Sequence, residues 1–408
     1  MFNLTTSHES QVAPKADKQA FRVPPERIVL PPWRPDTPEI RRDWANYYDQ
    51  MTQMDAQAGE LLAELERAGL ADETIVFYYS DHGGALPRGK RNIHDSGTRV
   101  PLIIRFPAKW QHLAPARPGQ WVDQPVAFVD FPATLLSLCG APIPKHFEGR
   151  AFLGEQQSPP RGHAFLYRGR MDERYDTVRA VRDSQFRYVR NYSPHRPWGQ
   201  HYSYPFQVLP SMRSWFAEFE AGRCNETQAA YWRPKPAEEL YEIASDPHEI
   251  RNRAADPQLA SKRDEMRSKL RAEIISSRDT GFIPEAMFSR LAGDKTIYEY
   301  AQSDAYPIER IIDLADKASS RDPAHLPDLR TALADPHPVI RYWGAIGCLV
   351  LQTDAAPLRN ELHGLLRDGP TCEWRRQRLW ATWTTPKRRW QRWLRSWPAG
   401  THTNRSPP

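Results

Sequence analysis

Three absences narrow the reading of this 408-residue chain before anything present is considered. Cysteine is scarce: Cys139, Cys224, Cys348 and Cys372 show no repeated spacing. That excludes a disulfide framework and a zinc-ligand pattern, and it leaves the redox compartment open. No run reaches the ~18–20 consecutive apolar residues of a membrane-spanning helix. Met1-Phe2-Asn3-Leu4 passes straight into polar Thr5-Thr6-Ser7-His8-Glu9, so no secretory leader is visible and the localisation stays undetermined. What is present suits a protein with real cores: 40% of residues are hydrophobic, and the length suggests two or three domains.

The densest stretch begins at Thr74-Ile75-Val76-Phe77-Tyr78-Tyr79, a β-branched and aromatic run that reads as a buried strand. It ends in Ser80-Asp81-His82-Gly83-Gly84, placing a carboxylate and an imidazole at the carboxyl end of the strand. In an open α/β sheet ligands bind at that edge. Asp81 and His82 there could hold a metal, with Lys90 beside an anionic substrate; a strand closing in a polar turn would read the same. Upstream, Thr37 as N-cap and Pro38 at the first helical position open a long helix. Its Ile40, Trp44, Tyr47, Met51, Met54, Ala58, Leu61 and Leu65 recur at helical spacing and should face the sheet. The Pro-rich stretch 14–38 reads as a loop over the functional face.

Ser80-Asp81-His82-Gly83, then Lys90, then Asp95-Ser96-Gly97-Thr98-Arg99-Val100-Pro101-Leu102-Ile103 resembles the sulfatase branch of the alkaline-phosphatase superfamily, in particular bacterial sulfatases related to heparan N-sulfatase. Three further stretches carry the same resemblance in order: Phe2 to Gln11, Val129-Asp130-Phe131-Pro132 to Pro144, and Glu239-Leu240-Tyr241-Glu242-Ile243 with Asp246-Pro247-His248-Glu249-Ile250-Arg251-Asn252. The resemblance implies an α/β fold with a mostly parallel sheet over 1–160 and a small antiparallel α+β subdomain over 161–280. It implies His8 contacting the sulfate or protonating the leaving group, Lys90 and Arg88 binding sulfate oxygens, and Asp81 with His82 on a Ca2+ ion. Relatives often carry Asn where His82 stands and an aromatic residue where His94 stands.

The family's Cys-x-Pro/Ala-x-Arg segment, whose cysteine becomes the formylglycine nucleophile, is missing, and so is its Asp-Asp metal pair. The resemblance therefore implies the C-terminal portion of such a catalytic domain, with an incomplete sheet and metal site. Without a nucleophile no covalent intermediate can form, so the chain is expected to be inactive alone and to need the missing N-terminal half as partner. Family members are often periplasmic or secreted, and their substrates are sulfated glycans or small sulfate esters.

Farther on, Thr177–Arg182 and Phe186–Arg190 alternate about Asp183-Ser184 as an antiparallel hairpin, Glu239–Ile243 adds a strand, and 256–278 reads as a charged amphipathic helix. Strand Val126–Val129 and a helix near Pro132–Leu138 precede them. Over 305–370 the apolar stripes Ile308-Ile311-Ile312-Leu314, Leu326-Leu329-Leu333 and Leu358-Leu362-Leu365-Leu366 suggest helices, with Asp335-Pro336-His337-Pro338 resembling the turn of a HEAT repeat. Residues 371–408 form a basic tail with six of the fourteen tryptophans, and from 373 onward nine Lys/Arg face one acid. Such a tail could bind nucleic acid or an anionic surface; it also fits a shifted reading frame, since codons regrouped one base earlier from Thr371 can spell an amphipathic helix pair. Three functions are compatible: a sulfatase, a phosphatase or phosphodiesterase of the same superfamily, or a noncatalytic interaction protein built on the helical repeats.

Overall fold

The computed structural model describes residues 1–12 and 20–365, which leaves the basic tail and its reading-frame question outside the described residues. The chain divides into two compact units, Met1–Gly281 and Phe282–Pro408.

In the first unit, Thr37 Oγ1 accepts from the Ile40 amide at 3.3 Å and Pro38 opens the Pro38–Arg67 helix as expected. Only its first turns are covered: Ile40, Asp43, Ala45 and Asn46 are buried, whereas no residue from Met51 to Arg67 is. Strand β1 (Val76–Tyr79) pairs with β2 (Leu102–Arg105), register Val76↔Arg105 to Tyr79↔Leu102. No residue of either strand is buried, and Ile103 is 62% exposed.

The expected mostly parallel sheet needs correcting for the described residues, where every ladder is antiparallel. A parallel strand must find a neighbour delivered by a crossover, and neither Phe2–Leu4 nor Val126–Val129 has a ladder partner. Phe128–Asp130 instead makes a 3-10 turn into the Phe131–Leu138 helix, its Asp130 carboxylate accepting from the Ala127 amide at 3.1 Å. Tyr79 and Phe128, their ring centroids 6.0 Å apart, stay exposed on one face of the β1–β2 pair, and Ile103, opposite Tyr78, stays exposed on the other, so apolar side chains around β1 lack a cover among the described residues.

The second sheet is complete. Strands β3 (His163–Arg168), β4 (Val178–Asp183), β5 (Phe186–Asn191) and β6 (Glu238–Glu242) lie in that order, all antiparallel. Asp183 forms the expected hairpin turn, its Oδ1 accepting from the amides of Gln185 at 2.9 Å and Phe186 at 2.7 Å. The Ala260–Ser276 helix backs the sheet with Met266, Leu270 and Ile274, spaced four apart and buried. The proline-rich stretch is more than a surface loop: Trp33 and Arg34 are buried, Trp33 stacking 5.9 Å from Trp215.

Asp43 marks where the long helix meets the Pro210–Glu220 helix, its Oδ2 accepting from the Ser211 amide at 2.7 Å. Burial pushes this carboxyl up to about 6, against the pull of the Ser211 hydrogen bonds. A raised carboxyl pKa stabilises the fold below pH 4, and the benefit is lost as pH rises through 6. Asp43→Asn keeps an acceptor for Ser211 and removes the buried charge. It should gain up to about 3 kcal/mol at pH 7 and almost nothing at pH 4, read from urea midpoints at the two pH values.

In the second unit Ile308–Ser319, Leu326–Leu333 and Pro338–Leu351 are helices. Ile308, Ile311, Ile312, Leu329, Leu333, Ile340 and Trp343 form their buried face. Gly347 lets two of them touch, since a Cβ there would lie 2.4 Å from Leu329 Cδ2. The layer is helical as expected; its descent from HEAT repeats is a separate matter of sequence likeness.

Candidate active site

Residues 83–98 form a compact loop made possible by glycine. A Cβ on Gly83 would lie 2.0 Å from the Ser96 carbonyl oxygen, and one on Gly89 would lie 2.1 Å from that of Gly84. The loop is closed by Gly83 N donating to Gly97 O at 2.9 Å and Lys90 N to Gly84 O at 2.8 Å. Charged side chains then fix it to the β subdomain. Arg182 pairs with Asp95 at 2.9 Å, Arg187 reaches Asp95 and the Ile93 carbonyl, and the Asp95 amide donates to Glu249 Oε2 at 2.6 Å. Burial works to raise the Asp95 carboxyl, yet Arg187 and Arg182 hold it below the usual range.

This frame brings together His8 and Lys90, which are 82 residues apart in sequence. Lys90 Nζ lies 3.3 Å from His8 Nε2. Ser10 Oγ lies 3.0 Å from His8 Nδ1, and the Ser10 amide donates to the same ring nitrogen at 3.3 Å, which fixes the imidazole beside the ammonium. Glu9, only 1% exposed, places Oε2 3.3 Å from Lys90 Nζ and Oε1 2.5 Å from Arg91 Nη1. Arg91 continues to Asp172 at 2.6 Å, and the His8 ring centroid is 6.3 Å from that of Tyr204. Sequence reasoning missed Glu9 and Arg91; the signal was a carboxylate directly after the histidine and a second cation directly after the lysine.

Arg88 is otherwise employed. It is buried over the Trp33 ring and donates to the carbonyls of His248 at 2.9 Å and Glu249 at 2.7 Å. The expectation that it contacts substrate is corrected to a bracing role, because its guanidinium is consumed by the 246–249 turn. That turn is itself built by Asp246, which accepts from the amides of Ile250 and Arg251. His94 packs edge-on 4.9 Å from Trp198, and burial holds its pKa well below the usual value.

Asp81 and His82 lie at the end of β1. Asp81 Oδ1 accepts from the His82 amide at 3.0 Å, its Oδ2 is 3.6 Å from His82 Nε2, and His82 Nδ1 is 2.8 Å from the Gly83 carbonyl oxygen. A calcium ion takes about six to eight oxygen ligands. Among the described residues no group of three or more His, Cys, Asp or Glu is gathered to hold one. The pair supplies two donors of a shell, so these residues by themselves do not fit a calcium site, and the chemistry considered below rests on His8 and Lys90.

Residues 5–141 match the family model described as Sulfatase, so the chain carries a sulfatase-family segment there. It is 36% identical over 286 residues to an ulvan-active sulfatase of Formosa agariphila, covering 70% of this chain and 47% of that protein. Human N-sulphoglucosamine sulphohydrolase is 29% identical over 263 residues, 60% of this chain and 50% of its own. A solved 2-O GAG sulfatase, 20% identical, superposes with a TM-score of 0.43 over 67% of this chain and 51% of its own. The chain thus spans about half the length of the curated relatives it matches.

Proposed function

We propose that this chain carries the sulfate-recognition side of a sulfatase site, for sulfuric esters or N-sulfates on a carbohydrate. The observation that carries this reading is the 3.3 Å approach of Lys90 Nζ to His8 Nε2, two groups 82 residues apart brought to one polar spot. Lys90 would bind a sulfate oxygen, and His8 would contact the sulfate or hand a proton to the leaving atom. The names of the relatives, ulvan-active and N-sulphoglucosamine, support a sulfated carbohydrate as substrate.

Turnover would also need a nucleophile and a complete metal shell, and neither motif is in this sequence. The polypeptide that carries them, continuous with this chain or separate, is the proposed partner; the uncovered apolar side chains around β1 support that need. The test is direct. The purified chain should release no sulfate from glucosamine N-sulfate or 4-nitrophenyl sulfate. It should still bind inorganic sulfate by calorimetry, and Lys90→Gln should weaken that binding roughly 10–100-fold, the worth of one charge-assisted hydrogen bond. Turnover by the chain alone would overturn the need for a partner, and sulfate binding indifferent to Lys90 and His8 would overturn the site.

A further inference from the structure

Two of the non-glycine residues with left-handed backbone are Arg91, at φ 74°, and Asp172, at φ 47°, and they are bonded to each other. Such backbone persists only where the surroundings over-determine it, and it concentrates at functional sites. Asp172 sits in a tight turn between β3 and β4, closed by Met171 N donating to Arg174 O at 2.8 Å and Arg174 N to Met171 O at 2.9 Å. Arg170 Nη1 donates to the Asp172 carbonyl at 2.8 Å. From Asp172 the charges alternate through Arg91, Glu9 and Lys90, and the Lys90 ammonium meets the His8 ring. The ion pair is not a rim contact of the kind that contributes little, because the Arg91 side chain is 10% exposed and that of Glu9 is 1%.

We propose that Glu9, Arg91 and Asp172 are positioning residues that fix the Lys90 ammonium against His8 and tie that pair to the 170–174 turn. A lysine on a flexible four-carbon stem has no fixed direction of its own. Glu9 supplies one by presenting Oε2 to Lys90 while its other oxygen is held by Arg91, and Asp172 keeps Arg91 from turning away. Glu9 therefore does two opposed things. It reduces the net positive charge beside a bound anion, and it orients the cation that binds it; the proposal is that orientation prevails.

This inference rests on the sulfate-site reading for its purpose, not for its geometry, so the test has two readouts. With the histidines of the full chain isotopically labelled, the His8 ring signal is assigned by its loss in His8→Gln. Asp172→Asn removes a charge from a partly exposed side chain two links from the pair. It should move the His8 ring signal while leaving most other histidine signals in place, and weaken inorganic sulfate binding roughly fivefold; Asp172→Glu should restore both. Glu9→Gln should weaken sulfate binding more than Asp172→Asn does. An unmoved His8 signal in Asp172→Asn overturns the proposal, as does a general shift of all histidine signals, which marks a merely structural pair. Tighter sulfate binding by Glu9→Gln overturns it too, since that is the result for a carboxylate that only neutralises. A His8 signal that responds in a chain that binds no sulfate supports the clamp while sinking the sulfate-site reading.

Discussion

Arg187→Met should cost the first unit about 3–5 kcal/mol, enough to unfold much of it at 37 °C. The side chain is fully buried on β5, and no water can take over its work. Its Nε pairs with Glu249 Oε1 at 2.8 Å, and its terminal nitrogens reach Asp95, the Ile93 carbonyl and, at 3.1 Å, Thr98 Oγ1. Methionine fills the volume and answers none of those groups. Burial already pushes the Glu249 carboxyl above its usual range with Arg187 beside it, so without Arg187 that carboxylate would keep only the Asp95 amide and the charge of Arg88. The cost therefore comes mainly from the partners left behind. Urea denaturation should show it, and Arg187→Met with Glu249→Gln should be less damaged than Arg187→Met alone. A single variant as stable as the wild type would mean that the 93–98 segment is held by other contacts.

That arginine shows where the sequence is readable and where it is not. Val178-Arg179-Ala180-Val181-Arg182 alternates, and alternation was enough to find the hairpin, its turn and its pairing partner. The same alternation suggests that the arginines face water. Arg179, Arg187 and Arg190 are instead buried: Arg187 lies on the face covered by the glycine loop and the 246–249 turn, whereas Arg179 and Arg190 lie on the opposite face, where Asp279 pairs with Arg179. Which layer covers a face is a property of distant segments, and no local period encodes it. Arg88 was misread for a related reason. A basic residue in a Gly-Lys string suggests an anion site, and only the folded chain reveals the two carbonyls that consume it.

The His8 and Lys90 encounter was legible only through the resemblance, since nothing in spacing links positions 82 residues apart. Glu9 and Arg91 were illegible for the same reason, although each is a chain neighbour of a residue singled out. The expected parallel sheet failed on a different point. Val76–Tyr79 has the composition of a strand buried on both faces, and in the described residues it has one antiparallel neighbour and no buried residue. Composition here reports the environment the strand is suited to, and the described residues supply only part of it.

Trp215→Ala is the second large effect expected, about 3–5 kcal/mol, near the upper end for an aromatic residue deleted from a core. Trp215 is completely buried, stacked 4.4 Å from Tyr231 at 14° and edge-on 5.6 Å from Trp232. It also forms the face on which Arg34 rests, the guanidinium 4.7 Å from the ring centroid. Burial pushes Arg34 down to about 9, so this charge is already held at a cost, and alanine would remove the ring face it rests on. The indole Nε1–H donates to the Gln228 carbonyl at 3.1 Å, and Gln228 Nε2 in turn donates to the Arg34 carbonyl at 3.0 Å. Arg34 Nη2 donates to Pro87 O at 2.7 Å, three residues before Lys90. Loosening the tryptophan should therefore reach the proposed sulfate site through Arg34 and Pro87. Trp215→Phe keeps the stack and the apolar face, and should lose roughly 1–2 kcal/mol with the missing hydrogen bond and volume. Far-UV circular dichroism in urea, read beside sulfate calorimetry, separates the two variants. Equal losses for Ala and Phe would locate the contribution of Trp215 in its N–H group and not in the stack.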